Sequence, residues 1–176
     1  MTTASKVTLA RVCVIPLFMW AALMGWSIWA LGLFVAASAT DWLDGYIARK
    51  YNQISDFGKF MDPLADKLLV FSALLLFVQW GRAPAWIVMV LLAREFAVSG
   101  LRMVASSKGH VIAAGVSGKV KTAVTMVGLT LMLTSFYDAV VFSTVTVDQI
   151  TIYAILLTTV YSGGEYLLVN RKILFD

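Results

Sequence analysis

Apolar residues fall along this chain in long continuous runs, separated by short segments that hold glycine, proline or clustered charge, with neither the strict alternation of half-buried strands nor a sustained heptad. A helix needs about 20 mostly apolar residues to cross the hydrocarbon of a bilayer, and the chain divides into six such lengths: 7–24, 27–48, 60–80, 84–105, 118–137 and 147–168. Gly25 marks the break after the first, Gly81 and Pro84 the break after the third, and Gly115 and Gly118 the approach to the fifth. The expected fold is therefore all-α, one polytopic bundle of six transmembrane helices forming a single domain over 1–176. Because the first apolar run is followed by others, it reads as a span and not as a removable signal peptide. The two halves show no internal repeat, so an inverted-repeat transporter is not expected.

Composition strengthens this picture. Of the 176 residues 60% are hydrophobic and 14% charged, against roughly a quarter charged in a soluble domain; a water-soluble core of this length has no means of hiding so much apolar surface. The 14 Lys and Arg are distributed by side. With an even number of spans both termini share one side, and that side collects every basic residue except Arg82. Basic residues are retained in the cytoplasm, so both termini and the loops rich in Lys and Arg are expected there. Trp26, Trp80 and Trp86 then fall near the outer interface, where aromatic belts form. Cys13 is the only cysteine; having no partner for a disulfide, it is expected only to pack.

Charge of the other sign carries the chemistry. Five of the ten acidic residues lie between positions 41 and 66: Asp41, Asp44, Asp56, Asp62 and Asp66. Asp41 and Asp44 are three apart at the end of the second span, and Asp62 and Asp66 four apart at the start of the third, so each pair belongs to one helical face. Carboxylates at such positions are costly unless they face water or a cation. Hard oxygen ligands suit Mg²⁺ or Mn²⁺, with substrate phosphate and water completing the shell, and the Cys and His sets that hold zinc are missing. Helix capping and interfacial charge would explain one aspartate, not four at paired spacing. Asp56 is expected in a loop or at a helix N-terminus, and Pro63 in the first turn of the third helix. Gly45 and Ala48 leave space on the helix that carries Asp41 and Asp44 for a flat ring or a diphosphate to approach the backbone, although small residues in spans also serve helix packing.

The string Asp41-Trp42-Leu43-Asp44-Gly45-Tyr46-Ile47-Ala48-Arg49, followed after eight residues by Gly58 and then by Asp62 and Asp66, resembles the signature of the CDP-alcohol phosphotransferase family. Within that family the chain is most similar to the bacterial branch that forms phosphatidylglycerophosphate. The likeness extends through Gly58 to Val70, Ala93 to Arg102 and Gly118 to Met126; it departs at Ser5, where that branch often has asparagine. The resemblance implies a six-helix homodimer in the membrane that transfers a phosphatidyl group from CDP-diacylglycerol to glycerol 3-phosphate and releases CMP. By the same resemblance Asp41, Asp44 and Asp62 bind metal, Asp66 binds metal and acts as the catalytic base, and Thr8, Gly45, Arg49, Ser55 and Gly58 contact the CDP-lipid, with Ala48 in the same groove. Two metal ions are expected, offsetting charge on the attacked phosphorus and on the leaving CMP.

An acceptor that carries its own phosphate needs cations beyond those at the metals. Arg94, Arg102, Lys119 and Lys121 are the candidates for binding it. Arg94 lies inside an apolar run, where its cost implies a task, either phosphate binding or a salt bridge with the adjacent Glu95. Lys119 and Lys121 also fit ordinary anchoring at the inner interface. The same signature admits other acceptors, inositol phosphate or phosphatidylglycerol among them, and a cationic pocket disfavours serine and choline. A cation channel or transporter is the more distant reading, and it leaves the glycines and Arg49 without a purpose. His110, the only histidine, is expected in a solvated loop. No nucleotide-fold glycine motif and no basic-aromatic stripe is present, so nucleic acid is not an expected partner.

Overall fold

The computed structural model describes the backbone of residues 3–51, 56–108, 112, 115–134, 140–142 and 145–171, and the side chains among them at 10–40, 64–65, 67–108, 112, 115–134 and 145–171. Ser55 and His110 lie outside the described residues, as do the side chains of Thr8, Asp41, Asp44, Ala48, Arg49, Asp62 and Asp66.

Six helices account for nearly all of the described chain: α1 (Thr3–Leu23), α2 (Ser27–Tyr51), α3 (Asp56–Gln79), α4 (Ala85–Ser107), α5 (Val116–Leu133) and α6 (Val147–Val169). The all-α expectation holds, with one addition. Between α5 and α6 a small antiparallel hairpin pairs β1 (Val140–Phe142) with β2 (Val145–Thr146), which the apolar pattern does not announce because three- and two-residue strands are too short to show a period.

Two of the expected breaks are built by the same device. Gly25 and Gly81 have φ of 75° and 71°, the left-handed region that only glycine enters freely. At the end of α1 the Gly25 N–H donates to the Ala22 carbonyl and the Trp26 N–H to that of Ala21; at the end of α3 Gly81 donates to Val78 and Arg82 to Phe77. Each pair closes the last turn as a Schellman motif and satisfies carbonyls that would otherwise be orphaned. Pro84 stands at the N-cap of α4. Thr146 caps α6: its hydroxyl accepts from the Gln149 N–H, and the Gln149 side chain returns a bond to the Thr146 N–H.

Three expectations are corrected. The third helix starts at Asp56 and not near 60, so Pro63 sits beyond its first turn instead of within it, while Asp56 stands at a helix N-terminus, as expected. The fifth helix ends at Leu133, four residues short of the expected 137. Cys13 is exposed on α1 and not packed in the interior.

The main core joins all six helices around fully buried Phe18, Phe34, Leu69, Phe77, Ile87, Leu129 and Ile155; the rings of Phe18 and Phe34 stand 5.6 Å apart, within the range of favourable aromatic pairing. α5 and α6 approach closely at Gly128, where a Cβ would lie 2.7 Å from Thr151 Cγ2 and 2.9 Å from Ile155 Cδ1. Glycine at such a contact lets two helix backbones come together. A second, smaller core of Val98, Leu101 and Tyr166 ties α4 to α6.

Outward surfaces are strongly apolar: Ile28, Trp29, Val116, Leu157 and Val169 are all 70% exposed or more. Water would leave such a surface open to aggregation. Among the described residues α5 and α6 are long and apolar enough to cross a membrane, whereas the apolar stretches of the first three helices, Ala10–Leu23, Ser27–Thr40 and Lys67–Gln79, are shorter. α4 carries Arg94, Glu95 and Arg102 along its length.

At the end of α3 away from Asp56 one ion pair closes the bundle. Arg82, in the turn before α4, donates Nε to Asp148 Oδ2 at 2.6 Å and Nη2 to Asp148 Oδ1 at 3.0 Å, and also reaches the Met132 carbonyl at the end of α5. Its guanidinium lies 5.0 Å from the centre of the Phe77 ring and 5.7 Å from that of Trp80. Arg82 thus has its counter-ion in the first turn of α6, where a carboxylate also complements the helix dipole.

Candidate active site

The signature residues occupy two consecutive helices. Asp41, Asp44, Gly45, Ala48 and Arg49 belong to α2; Gly58, Asp62 and Asp66 belong to α3; Thr8 is on α1. α2 and α3 touch, and with only 52–55 between them they run in opposite directions. Asp41 is ten residues before the last residue of α2, and Asp66 ten after the first of α3; Asp44 and Asp62 stand seven and six from those same ends. At about 1.5 Å of rise per residue, the two dyads share one level along the helix pair. Among the described residues no group of three or more His, Cys, Asp or Glu forms a metal site, and the four aspartate side chains are not among those described. Their donor set, four carboxylates on neighbouring helices without thiol or imidazole, is of the hard-oxygen kind that fits Mg²⁺ or Mn²⁺.

Beside this level lies a pocket enclosed by α3, α4, α5 and α6. Lys67, the residue after Asp66, lines it together with Glu95, Lys121, Thr125 and Thr159, over an apolar floor that includes Phe71, Leu74 and Ile155. Lys67 Nζ donates to Ser99 Oγ on α4. Glu95 Oε1 accepts from Lys121 Nζ at 2.5 Å and from Arg94 Nη1 at 3.0 Å. The side chains of Arg94, Glu95 and Lys121 are only 13–16% exposed. One carboxylate therefore stands among three cations, Lys67, Arg94 and Lys121, and the surplus positive charge favours an anion in the space they border.

The structure distributes the four acceptor-phosphate candidates unequally. Arg94 and Lys121 meet at Glu95. Arg102 is further along α4, donating Nε to the Tyr166 hydroxyl at 3.0 Å with its guanidinium 5.3 Å from the centre of that ring. Lys119 is exposed near the start of α5. Arg94 makes the salt bridge with Glu95 and also donates Nη2 to Ser162 Oγ on α6 at 2.9 Å. Its Nε remains buried without a hydrogen-bond partner, and so does Thr159 Oγ1. A buried polar atom left unsatisfied costs about 1–3 kcal/mol; two on facing helices mark a place that a ligand can complete.

Two of these participants carry no motif. Thr159 and Ser162 lie outside the stretches that carry the family likeness, and only the packing of α6 against α3 and α4 brings them to this place. Glu95 had a signal, since it is the only acidic residue in the apolar run of α4 and a carboxylate inside such a run implies a partner.

A six-helix bundle with apolar outward faces, paired aspartates at one level of two adjoining helices and an anion-favouring pocket beside them defines a lipid-handling enzyme. The CDP-alcohol phosphatidyltransferase family matches residues 1–161, and the chain belongs to that family. Among its relatives, the CDP-diacylglycerol–glycerol-3-phosphate 3-phosphatidyltransferase of Bacillus subtilis is 42% identical, covering 97% of this chain and 95% of its own. The enzyme of the same name in Rickettsia felis is 34% identical over 94% of this chain and 93% of its own. An Arabidopsis thaliana enzyme, CDP-diacylglycerol–glycerol-3-phosphate 3-phosphatidyltransferase 2, is 38% identical over 76% of this chain and 65% of its own.

Proposed function

We propose that the protein transfers a phosphatidyl group from CDP-diacylglycerol to glycerol 3-phosphate, forming phosphatidylglycerophosphate and CMP in phospholipid biosynthesis. The observation that carries this reading is the aspartate signature on α2 and α3 in a chain whose likeness to relatives named for this reaction extends over nearly its whole length. The cationic pocket next to Asp66 supports an acceptor that brings its own anion.

Asp41, Asp44, Asp62 and Asp66 would hold two divalent ions. Bound there, Mg²⁺ or Mn²⁺ supplies neutralisation of charge on the diphosphate. Thr8, Gly45, Ala48, Arg49, Ser55 and Gly58 hold the CDP part of the lipid, the glycines letting the ligand approach the backbone. Asp66 accepts the proton of the attacking hydroxyl. The hydroxyl oxygen forms a bond to the phosphorus that bears diacylglycerol, the bond from that phosphorus to the CMP oxygen breaks, and CMP leaves with the electron pair. Arg94 and Lys121, steered by Glu95, bind the acceptor phosphate together with Lys67; Arg102 and Lys119 lie further out and attract the anion before it reaches the pocket.

The chain is read as a single domain of six membrane-spanning helices in the bacterial cytoplasmic membrane, with both termini and the active site facing the cytoplasm. The six-span reading gathers 13 of the 14 basic residues on one side and leaves Arg82, paired with Asp148, for the other, and that bias supports this orientation. The apolar outward faces leave room for a homodimer as well as for lipid. Purified protein supplied with CDP-diacylglycerol and a panel of acceptors is expected to release CMP with glycerol 3-phosphate. Release with inositol phosphate or phosphatidylglycerol and none with glycerol 3-phosphate would reassign the acceptor.

A further inference from the structure

Threonines in these helices follow a habit. Thr122, Thr125, Thr130 and Thr158 each donate their hydroxyl to the carbonyl four residues back, at 2.8–3.0 Å, the usual way a threonine satisfies itself inside a helix. Thr159 departs from it. Its side chain is completely buried, its Oγ1 has no hydrogen-bond partner, and it lines the pocket that also holds Lys67, Glu95 and Lys121. Ser162, one turn on, is already engaged with Arg94 and with the Thr159 carbonyl. Among the described residues the pocket therefore offers cations and, apart from them, one uncommitted hydroxyl at a wall formed by α6.

We propose that Thr159 is a specificity-determining residue, whose hydroxyl recognises the non-reacting hydroxyl of a phosphorylated polyol acceptor. This rests on the acceptor reading above and adds a subsite to it. A phosphorylated glycerol has three functional parts: a phosphate, the primary hydroxyl that attacks, and a secondary hydroxyl on the carbon between them. The cations account for the phosphate and Asp66 for the attacking hydroxyl. The secondary hydroxyl is both donor and acceptor and, once desolvated, needs a partner with the same versatility; a threonine hydroxyl is one. Sites that hydrogen-bond a substrate hydroxyl reject analogues lacking it strongly, because the buried protein group is then left unpaired.

The test compares glycerol 3-phosphate with 3-hydroxypropyl phosphate, which keeps the phosphate and the attacking hydroxyl and lacks the secondary one. Wild-type enzyme is expected to use the analogue at least about tenfold less well in kcat/KM. In Thr159→Val, which keeps the shape and removes the hydroxyl, glycerol 3-phosphate should fall towards the analogue, so that the ratio between the two collapses to within about twofold while KM for CDP-diacylglycerol is unchanged; Thr159→Ser should restore the ratio. An active Thr159→Val enzyme with undiminished discrimination overturns the inference. So does equal use of both acceptors by the wild-type protein, a result that needs no variant to fold. A wild-type protein that releases no CMP with glycerol 3-phosphate, yet does so with another acceptor, removes the acceptor reading and this inference with it.

Discussion

Gly163 on α6 leaves the space through which the stem of Arg94 passes: a Cβ at position 163 would stand 2.8 Å from Arg94 Cγ and 3.5 Å from its Nε. Cγ is close to the helix and cannot swing aside as a side-chain tip does, so a methyl group there displaces the guanidinium from Ser162 and Glu95. Gly163→Ala is therefore expected to raise KM for glycerol 3-phosphate by about tenfold or more, the scale of one lost charge-assisted contact. Alanine gains up to about 1 kcal/mol of helix propensity over glycine, so thermal stability in detergent should change little. Unaltered acceptor kinetics would show that Arg94 does not depend on this clearance.

Glu95 accepts from both Lys121 and Arg94 in a poorly exposed setting. Removing its charge leaves two cations facing each other. Glu95→Gln should lower stability by about 3 kcal/mol, the usual scale for breaking a buried pair from one side, read as a fall in unfolding temperature. Adding Lys121→Met to it should cost less than the sum of the two single changes, since the pair is coupled. Strict additivity would mean that the contact contributes nothing.

The Arg82–Asp148 pair belongs to the opposite end of the bundle from the aspartate dyads, and joins the turn before α4 to α5 and α6. Arg82→Met should destabilise the protein by about 3 kcal/mol by leaving the Asp148 carboxylate buried and unpaired. Turnover at saturating substrates should stay within about twofold of wild type at a temperature where the variant is folded. A large loss of kcat with intact stability would move this pair into the catalytic machinery.

Asp66 is assigned the proton. Asp66→Asn keeps the size of the side chain and removes its basicity, so CMP release should fall by at least about 10²-fold, the lower end of general-base contributions, while CDP-diacylglycerol binding, followed by thermal shift with added ligand, persists. Preserved turnover would assign the base elsewhere.

How far the sequence reveals this protein depends on the range of each interaction. Helix ends set by local chemistry were legible: Gly25 and Gly81 sit where breakers were expected, because a Schellman motif needs only the residues of one turn. The start of α3 is harder to read, since Pro63 suits a first turn whereas the helix opens at Asp56, a full two turns before it. The dyads on α2 and α3 were readable as helical spacing within single segments. Arg94 with Ser162 and Gly163, Arg102 with Tyr166, and Lys67 with Ser99 were not, because each pair joins positions 32 to 69 residues apart, and nothing in either segment encodes the meeting. Thr159 shows the same limit, for a threonine that fails to bond its own helix looks in sequence like its neighbour Thr158, which does.

The account stands on carboxylates of α2 and α3 gathering divalent ions for phosphatidyl transfer, and the lipid product tests that most directly. Purified protein incubated with CDP-diacylglycerol and glycerol 3-phosphate should form phosphatidylglycerophosphate, identified by mass, with Mg²⁺ or Mn²⁺ present; product formation should stop with a chelator and return when the ion is restored. Undiminished product in the presence of the chelator, or none with either ion, would contradict it.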